Sequence, residues 1–330
     1  MANQVFHGGI NAPSVNGITP AQAAKLAALA DALNVSGNLV CFLGDVFAPS
    51  FQPPNTWTDT DFTYTTAGSE VTITGLTATG KEKLALFNNV MTIPATIGGN
   101  SVTTLASDAF ANTALTTVTI PASITAALGA FTGCPLLTVY FTGTLEQLCA
   151  INTDDKKGYF FPFSSAGTNT QLYVGGTPIT ALSVPSGVTK VGNAFQFVSG
   201  ITSAVLPDSV TSFRGFYWCP NLTTVTLGNG ITVVPLLAFY YNTSLTNITF
   251  GTGVTTIEGN AFNGCTALTS ISLPATITLI DVFAFQGCTS LTSFSFAGTK
   301  AQWKAITLGT GWNNDCPFTE VVCSDGTVSV

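Results

Sequence analysis

Acid–base, thiolate or metal chemistry in this 330-residue chain would have to draw on one histidine, His7, eight cysteines and sixteen acidic residues. Their arrangement does not suit it. His7 sits in a Gly- and Asn-rich opening, HGGINAPSVNG, so a His-based triad has no well-placed base. The acids are dispersed, and no segment has the Gly-rich form that cradles phosphate. Asp154-Asp155-Lys156-Lys157 is the one charge cluster and reads as a solvated loop tip. The sequence therefore predicts no catalytic residue, no metal and no cofactor. A carbohydrate-active enzyme stands only as a remote alternative.

Aromatic side chains offer a different chemistry. Phe197, Trp218 and Tyr241 hold large rings where equivalent places elsewhere hold Gly133, Gly264 and Gly287. Tyr217 and Tyr240 directly precede two of them. Flat rings with polar handles suit stacking on a sugar or a protein partner. Rings that replace Gly also need something to cover them. Two coverings are open at this stage. One is an outside ligand. The other is the segment 144–178, whose Tyr159, Phe160, Phe161 and Phe163 could fold back over all five rings. A second regular surface is a row of hydroxyls, Thr226, Thr249, Ser272 and Ser295, beside Thr224, Asn247, Ser270 and Ser293. It could meet a glycan, an ordered water layer or a flat protein, or be only an uncharged sheet face. The N-x-S/T triplets at Asn34, Asn221, Asn242 and Asn247 follow from Asn- and Thr-rich repetition and are not read as glycosylation sites.

Such phased residues require a repeating scaffold. The pattern L-T-x-V-x-L-P/G, with A-F-x-x-C/N about ten residues on, is anchored at Leu115, Leu137, Ile179, Ile201, Leu222, Leu245, Leu268 and Leu291. The steps are 22, 42, 22, 21, 23, 23 and 23 residues. A fixed period in this range means a solenoid, in which each unit buries its apolar side only against its neighbours. The expected fold is an α/β repeat: a solenoid of about 22–23-residue units, mostly short β-strands and turns, capped at both ends. Phe131, Phe195, Phe216, Phe239, Phe262 and Phe285 each lie six residues before an anchor, which predicts a stacked aromatic spine. Cys134, Cys219, Cys265 and Cys288, with Asn112 and Asn242, lie three before an anchor. They should form a buried ladder of free thiols and small polar groups bonded to the backbone. Cys316 and Cys323 could be bridged; Cys41 and Cys149 have no assigned role.

The chain divides into four stretches. Residues 1–58 hold a short helix at about 20–33, capped by Thr19 with Pro20 following, and an apolar strand at 39–47. They could dock to another body, self-associate or cover one solenoid end. Residues 59–101 read as an N-terminal capping unit, 102–298 as the repeats with an inserted element at 144–178, and 299–330 as a C-terminal cap. The inserted element and the C-terminal cap share F-x-G-T-x-x-Q-[LW]-x-A-I, from Phe141 and from Phe296.

Composition narrows the partners. Net charge is −7 and no basic stripe forms, so nucleic acid is not expected. Hydrophobic residues make up 46% and charged ones 8%, yet no apolar run is long enough to span a membrane. The opening MANQVFHGGINAPSVNG has no secretory signal pattern.

The repeat motif, the GT-x-x-QW-x-AI element and the stretch IPATIGGNSVTTLASDAF together resemble the BspA-like (treponemal-type) leucine-rich repeat family over about residues 60–330. That resemblance implies a surface or secreted protein of host-associated microbes, linked with adhesion. The function expected from it is a non-enzymatic, surface-displayed scaffold that binds a protein or glycan, outside a cell or on a virion. The alternative is a virion component, such as a phage fibre or decoration protein, docked through residues 1–58; the missing export signal favours it.

Overall fold

The computed structural model describes residues 57–151 and 170–330, apart from 128, 136 and 137. The expected helix at 20–33, the strand at 39–47, Cys41, the anchor Leu137, and the clusters at 154–157 and 159–163 lie outside the described residues.

Alternation of apolar and hydroxyl side chains makes strands with one dry face. Thr224–Leu227 and Ser270–Leu273 both run exposed, buried, exposed, buried. The same phase recurs from Val90–Thr92 through Thr117–Ile120, Thr138–Phe141 and Gln171–Val174, and again from Ala181–Ser183 to Glu320–Cys323. Neighbouring members pair in parallel, one repeat apart, as Val225 with Ile248 and Ile271 with Phe294. A second column of two-residue strands runs beside it: Lys190–Val191 beside Ser212–Phe213, then Val233–Val234, Thr256–Ile257, Leu279–Ile280 and Thr307–Leu308. Between them the core holds the anchors: Leu115, Ile201, Leu222, Leu245, Leu268 and Leu291 are all fully buried.

The aromatic spine is present. Phe195, Phe216, Phe239, Phe262 and Phe285 follow one another with ring centroids 5.0–6.2 Å apart. A separate pair, Phe110 and Phe131, stacks at 5.5 Å on the other side of the inserted element. The thiol ladder runs alongside. Cys134, Cys219, Cys265 and Cys288 each donate to the carbonyl of the preceding turn's spine Phe at 3.0–3.2 Å. Asn242 works in the other direction, its Oδ1 accepting from the Cys219 N–H at 2.7 Å.

The solenoid of short strands and turns with capping elements is the fold found, and among the described residues its α-helices lie in the two terminal caps and the inserted element. Three other readings need adjustment. Asn112 is not a ladder rung: it is exposed and left-handed (φ 55°), and Thr113 stands in the rung's phase but donates to the Phe110 carbonyl of its own turn. The cause is a unit one residue shorter between Phe110 and Leu115. Cys316 and Cys323 are not bridged. Cys316 is the ladder's last rung, on the Phe285 carbonyl, while Cys323 ends a strand. Trp57, within the 1–58 stretch, is buried against Phe62 and Phe87 of the N-terminal cap.

The shared cap signature has a plain mechanical meaning. Helices α1 (Ala78–Leu86), α2 (Leu145–Cys149) and α3 (Lys300–Lys304) all begin at a capping Thr. In α2 and α3 the cap is reciprocal: Thr144 with Gln147, and Thr299 with Gln302. Gly143 and Gly298 lie so close to the Phe141 and Phe296 rings that a Cβ would collide. Each element then adds a parallel strand and folds it back as an antiparallel hairpin, at 171–178 and at 320–329. Helix α1 serves the N-terminal cap differently. Its Lys83 forms a buried ion pair with Asp61 at 2.6 Å and lies over the Trp57 ring. Asn88 and Asn89, both left-handed, end it.

The buried thiols make stability depend on alkaline pH. Burial pushes Cys149 and Cys219 up to about 12, and raises Cys134 and Cys265 as well. A thiol in the unfolded chain ionises near about 8.5. The stabilisation is therefore complete below about pH 8.5 and is lost as pH rises towards 12, because only the unfolded chain gives up protons there. Each such thiol contributes a fall of up to about 1.4 kcal/mol per pH unit. Urea unfolding of the wild type and Cys219→Ala at pH 8 and pH 10 should show a shallower fall in the variant; equal falls would contradict the thiol origin.

Candidate functional site

In every turn the chain must reverse just after the spine Phe, and it does so through a left-handed residue two positions on. Gly133, Gly264 and Gly287 have φ of 74°, 76° and 73° there, which glycine adopts without cost. Phe197, Trp218 and Tyr241 occupy the same conformation, with φ of 63°, 53° and 56°. A side chain with a Cβ in this region costs about 1–2 kcal/mol. The conformation aims each N–H along the solenoid. Phe197 donates to the Tyr217 carbonyl, Trp218 to Tyr240 and Tyr241 to Asn263, at 2.8–2.9 Å, and Gly264 and Gly287 continue the ladder.

This backbone ladder sets the rings in register. Trp218 and Tyr241 are parallel within 7° at 5.1 Å, as are Tyr217 and Tyr240 at 5.2 Å. Phe197 meets Tyr217 at 5.0 Å and Tyr240 meets Tyr241 at 4.6 Å. The five predicted residues do form one cluster. They are not one exposed flank, however. Tyr217 is only 7% exposed and belongs to the interior. Phe197, Trp218 and Tyr240 are half-buried, and Tyr241 is 40% exposed. Burial, with Tyr241 alongside, holds the Tyr240 phenol above its ordinary value, so it is neutral over the physiological range.

Beyond Tyr241 lies a cleft of about 390 Å³. Tyr241 walls it, Gly264 and Gly287 lie below, and Asn263, Gln286 and Asp315 border it. The three polar residues were not singled out above. Their signal was present: Asn263 and Gln286 continue the row of Tyr217 and Tyr240, so that row changes from aromatic to amide at the same turn where the next row changes from aromatic to glycine.

The hydroxyl row is in register too. Thr226 pairs with Thr249 and Ser272 with Ser295, while Val205 and Val322 flank the series. Thr226, Thr249 and Ser272 are exposed, with no hydrogen-bond partner for their hydroxyls among the described residues. Ser295 is not available in the same way: it is half-buried and donates to the Ile271 carbonyl at 3.1 Å. Among the described residues no group of three His, Cys, Asp or Glu could hold a metal, and no helix is long and apolar enough to cross a membrane.

A family profile described as a BspA type leucine rich repeat region matches residues 60–150 and 212–307, in six copies and over more than half the chain. The chain belongs to the BspA-type leucine-rich repeat family. Among solved structures it is similar to a leucine rich cell surface protein of Faecalibacterium prausnitzii, with 21% identity over 78% of this chain and 98% of that one, at a TM-score of 0.39. A leucine-rich repeat protein of Eubacterium ventriosum gives 16% identity over 80% and 96%, at a TM-score of 0.43. The pneumococcal vaccine antigen PcpA gives 16% identity over 81% of each chain, at a TM-score of 0.39. No curated protein matches the chain. None of these findings supports the virion alternative.

Left-handed strain predicts an asymmetry between the exposed ring and the spine. In Tyr241→Gly the lost packing is offset by relief of the backbone, so unfolding free energy should change by less than about 1 kcal/mol. Phe262→Ala opens a cavity in the spine and should cost about 3–5 kcal/mol. Urea denaturation distinguishes the two; a comparable loss from both would mean that Tyr241 is a core residue.

Proposed function

We propose that this BspA-type solenoid is a non-enzymatic recognition scaffold, displayed at a surface, that holds a protein or glycan partner against the ring cluster at its left-handed turn. One observation carries the reading: consecutive turns keep large rings in a backbone conformation where neighbouring turns use glycine. Glycine would serve the fold there at lower cost, so the rings are explained by what they touch rather than by what they stabilise. Trp218, Tyr240 and Tyr241 are the contact residues in this reading. Phe197 and Tyr217 support them from beneath. The exposed hydroxyls of Thr226, Thr249 and Ser272 form a second, weaker candidate surface. Few charges and a Thr-, Ser- and Asn-rich exterior suit contact with neutral, hydrated partners. Residues 1–58 are the proposed means of attachment, by docking or self-association.

Beads coated with the chain, passed over cultured epithelial cells and over bacterial cells, test the reading. A Trp218→Gly/Tyr241→Gly variant should be retained at least about tenfold less, equivalent to about 1.4 kcal/mol, with a melting temperature within a few degrees of wild type. Absence of retention on every surface, or equal retention of variant and wild type, would count against it.

A further inference from the structure

The ring stack ends before the solenoid does. Along the row after the spine Phe the residues are Tyr217, Tyr240, Asn263 and Gln286; along the next row they are Trp218, Tyr241, Gly264 and Gly287. Trp218 covers one face of Tyr241. The ring leans towards Gly264, where an added Cβ would crowd Tyr241 Cδ2 at 3.1 Å, whereas at Gly287, one turn further, an added Cβ would meet only ordinary contacts. Neither glycine places a side chain beside Tyr241, and both line the cleft there.

The polar groups around that place are of one kind. Asn263 Nδ2 donates to Asn260 Oδ1 at 2.8 Å and to Gln286 Oε1 at 3.1 Å. This leaves Asn263 Oδ1 as an acceptor and Gln286 Nε2 as a donor, without partners among the described residues. The exposed Asp315 carboxylate likewise has no hydrogen bond or ion pair among the described residues, and it is the only charged group lining the cleft. An aromatic or aliphatic side chain from a protein would need apolar walls on several sides. Here two tyrosines, Tyr240 and Tyr241, stand to one side, with a backbone floor and a rim of amides, hydroxyls and one carboxylate. A pyranose ring has the complementary form, with an apolar C–H face and an edge of groups that both donate and accept.

We propose that the cleft binds a single hexopyranose ring of a neutral glycan, its C–H face stacked on Tyr241 in the place of the next ring and its hydroxyls bonded to Asn263, Gln286 and Asp315. This deepens the scaffold reading above and rests on it.

The full chain, probed on a printed panel of neutral oligosaccharides of glucose, galactose, mannose and N-acetylglucosamine, should retain at least one class. Tyr241→Ala should weaken that binding at least tenfold, and Asp315→Asn several-fold. Gly264→Tyr should abolish it by filling the site, since Tyr241 already occupies the equivalent backbone conformation one turn earlier. If Gly264→Tyr fails to fold, saturation-transfer NMR on the wild type serves instead, and the strongest transfer should fall on the protons of one sugar face. Three results would overturn the proposal: no saccharide retained, binding unchanged in Tyr241→Ala, or N-acetyltryptophanamide bound at the cleft more tightly than any saccharide. If saccharides fail while cell retention still depends on Trp218 and Tyr241, the glycan falls and the scaffold reading stands; loss of both brings both down.

Discussion

One phenylalanine per turn, laid against the phenylalanine of the next, sets the phase of this molecule. A thin coil has no central core and can bury its apolar side only against the coils above and below. The rings from Phe195 to Phe285 do this at spacings close to the separation of paired strands. Once they are in line, the thiols line up three residues on, the left-handed residues two residues on, and the outward hydroxyls on the long strands. Each column inherits its register from the spine and returns something to it. The thiols are one case, each donating to a spine carbonyl of the turn before.

The same regularity makes departures from it informative. A glycine at the left-handed place needs no explanation, whereas a tryptophan or tyrosine there works against the backbone. Trp218 and Tyr241 are therefore conspicuous for where they stand more than for what they are. Tyr217 shows the limit of that argument, since it stands in the adjacent row and is buried. Occupying a ring row does not by itself decide which partner a ring has.

Much of this architecture was legible in the residues. Period, anchors, spine and thiol ladder follow from phase counting, because in-register stacking turns a position in the repeat into a position in space. The doubled signature from Phe141 and Phe296 identified the two closures. Phase counting misled where a unit changes length: Asn112 was counted from its anchor, but the bend is measured from the spine Phe, one residue nearer. It could not foresee that Cys316 ends the ladder, since no anchor follows it. The aromatic cluster was legible as a set, but its gradation from buried Tyr217 to exposed Tyr241 depends on what covers each ring. The cleft was not legible because it is made of what is lacking, side chains at glycines of two successive turns.

The hairpin at 171–178 carries a consequence of a different order. A parallel stack ends in a row of unpaired backbone groups that invites another chain to add on. This molecule folds a strand back over that row twice, once at its end and once midway. Whole turns can then be gained or lost between the two closures without opening either stack. Reach, rather than shape, becomes the property that duplication and deletion of turns can alter, with the ring-bearing turns carried nearer to or further from the terminal closure.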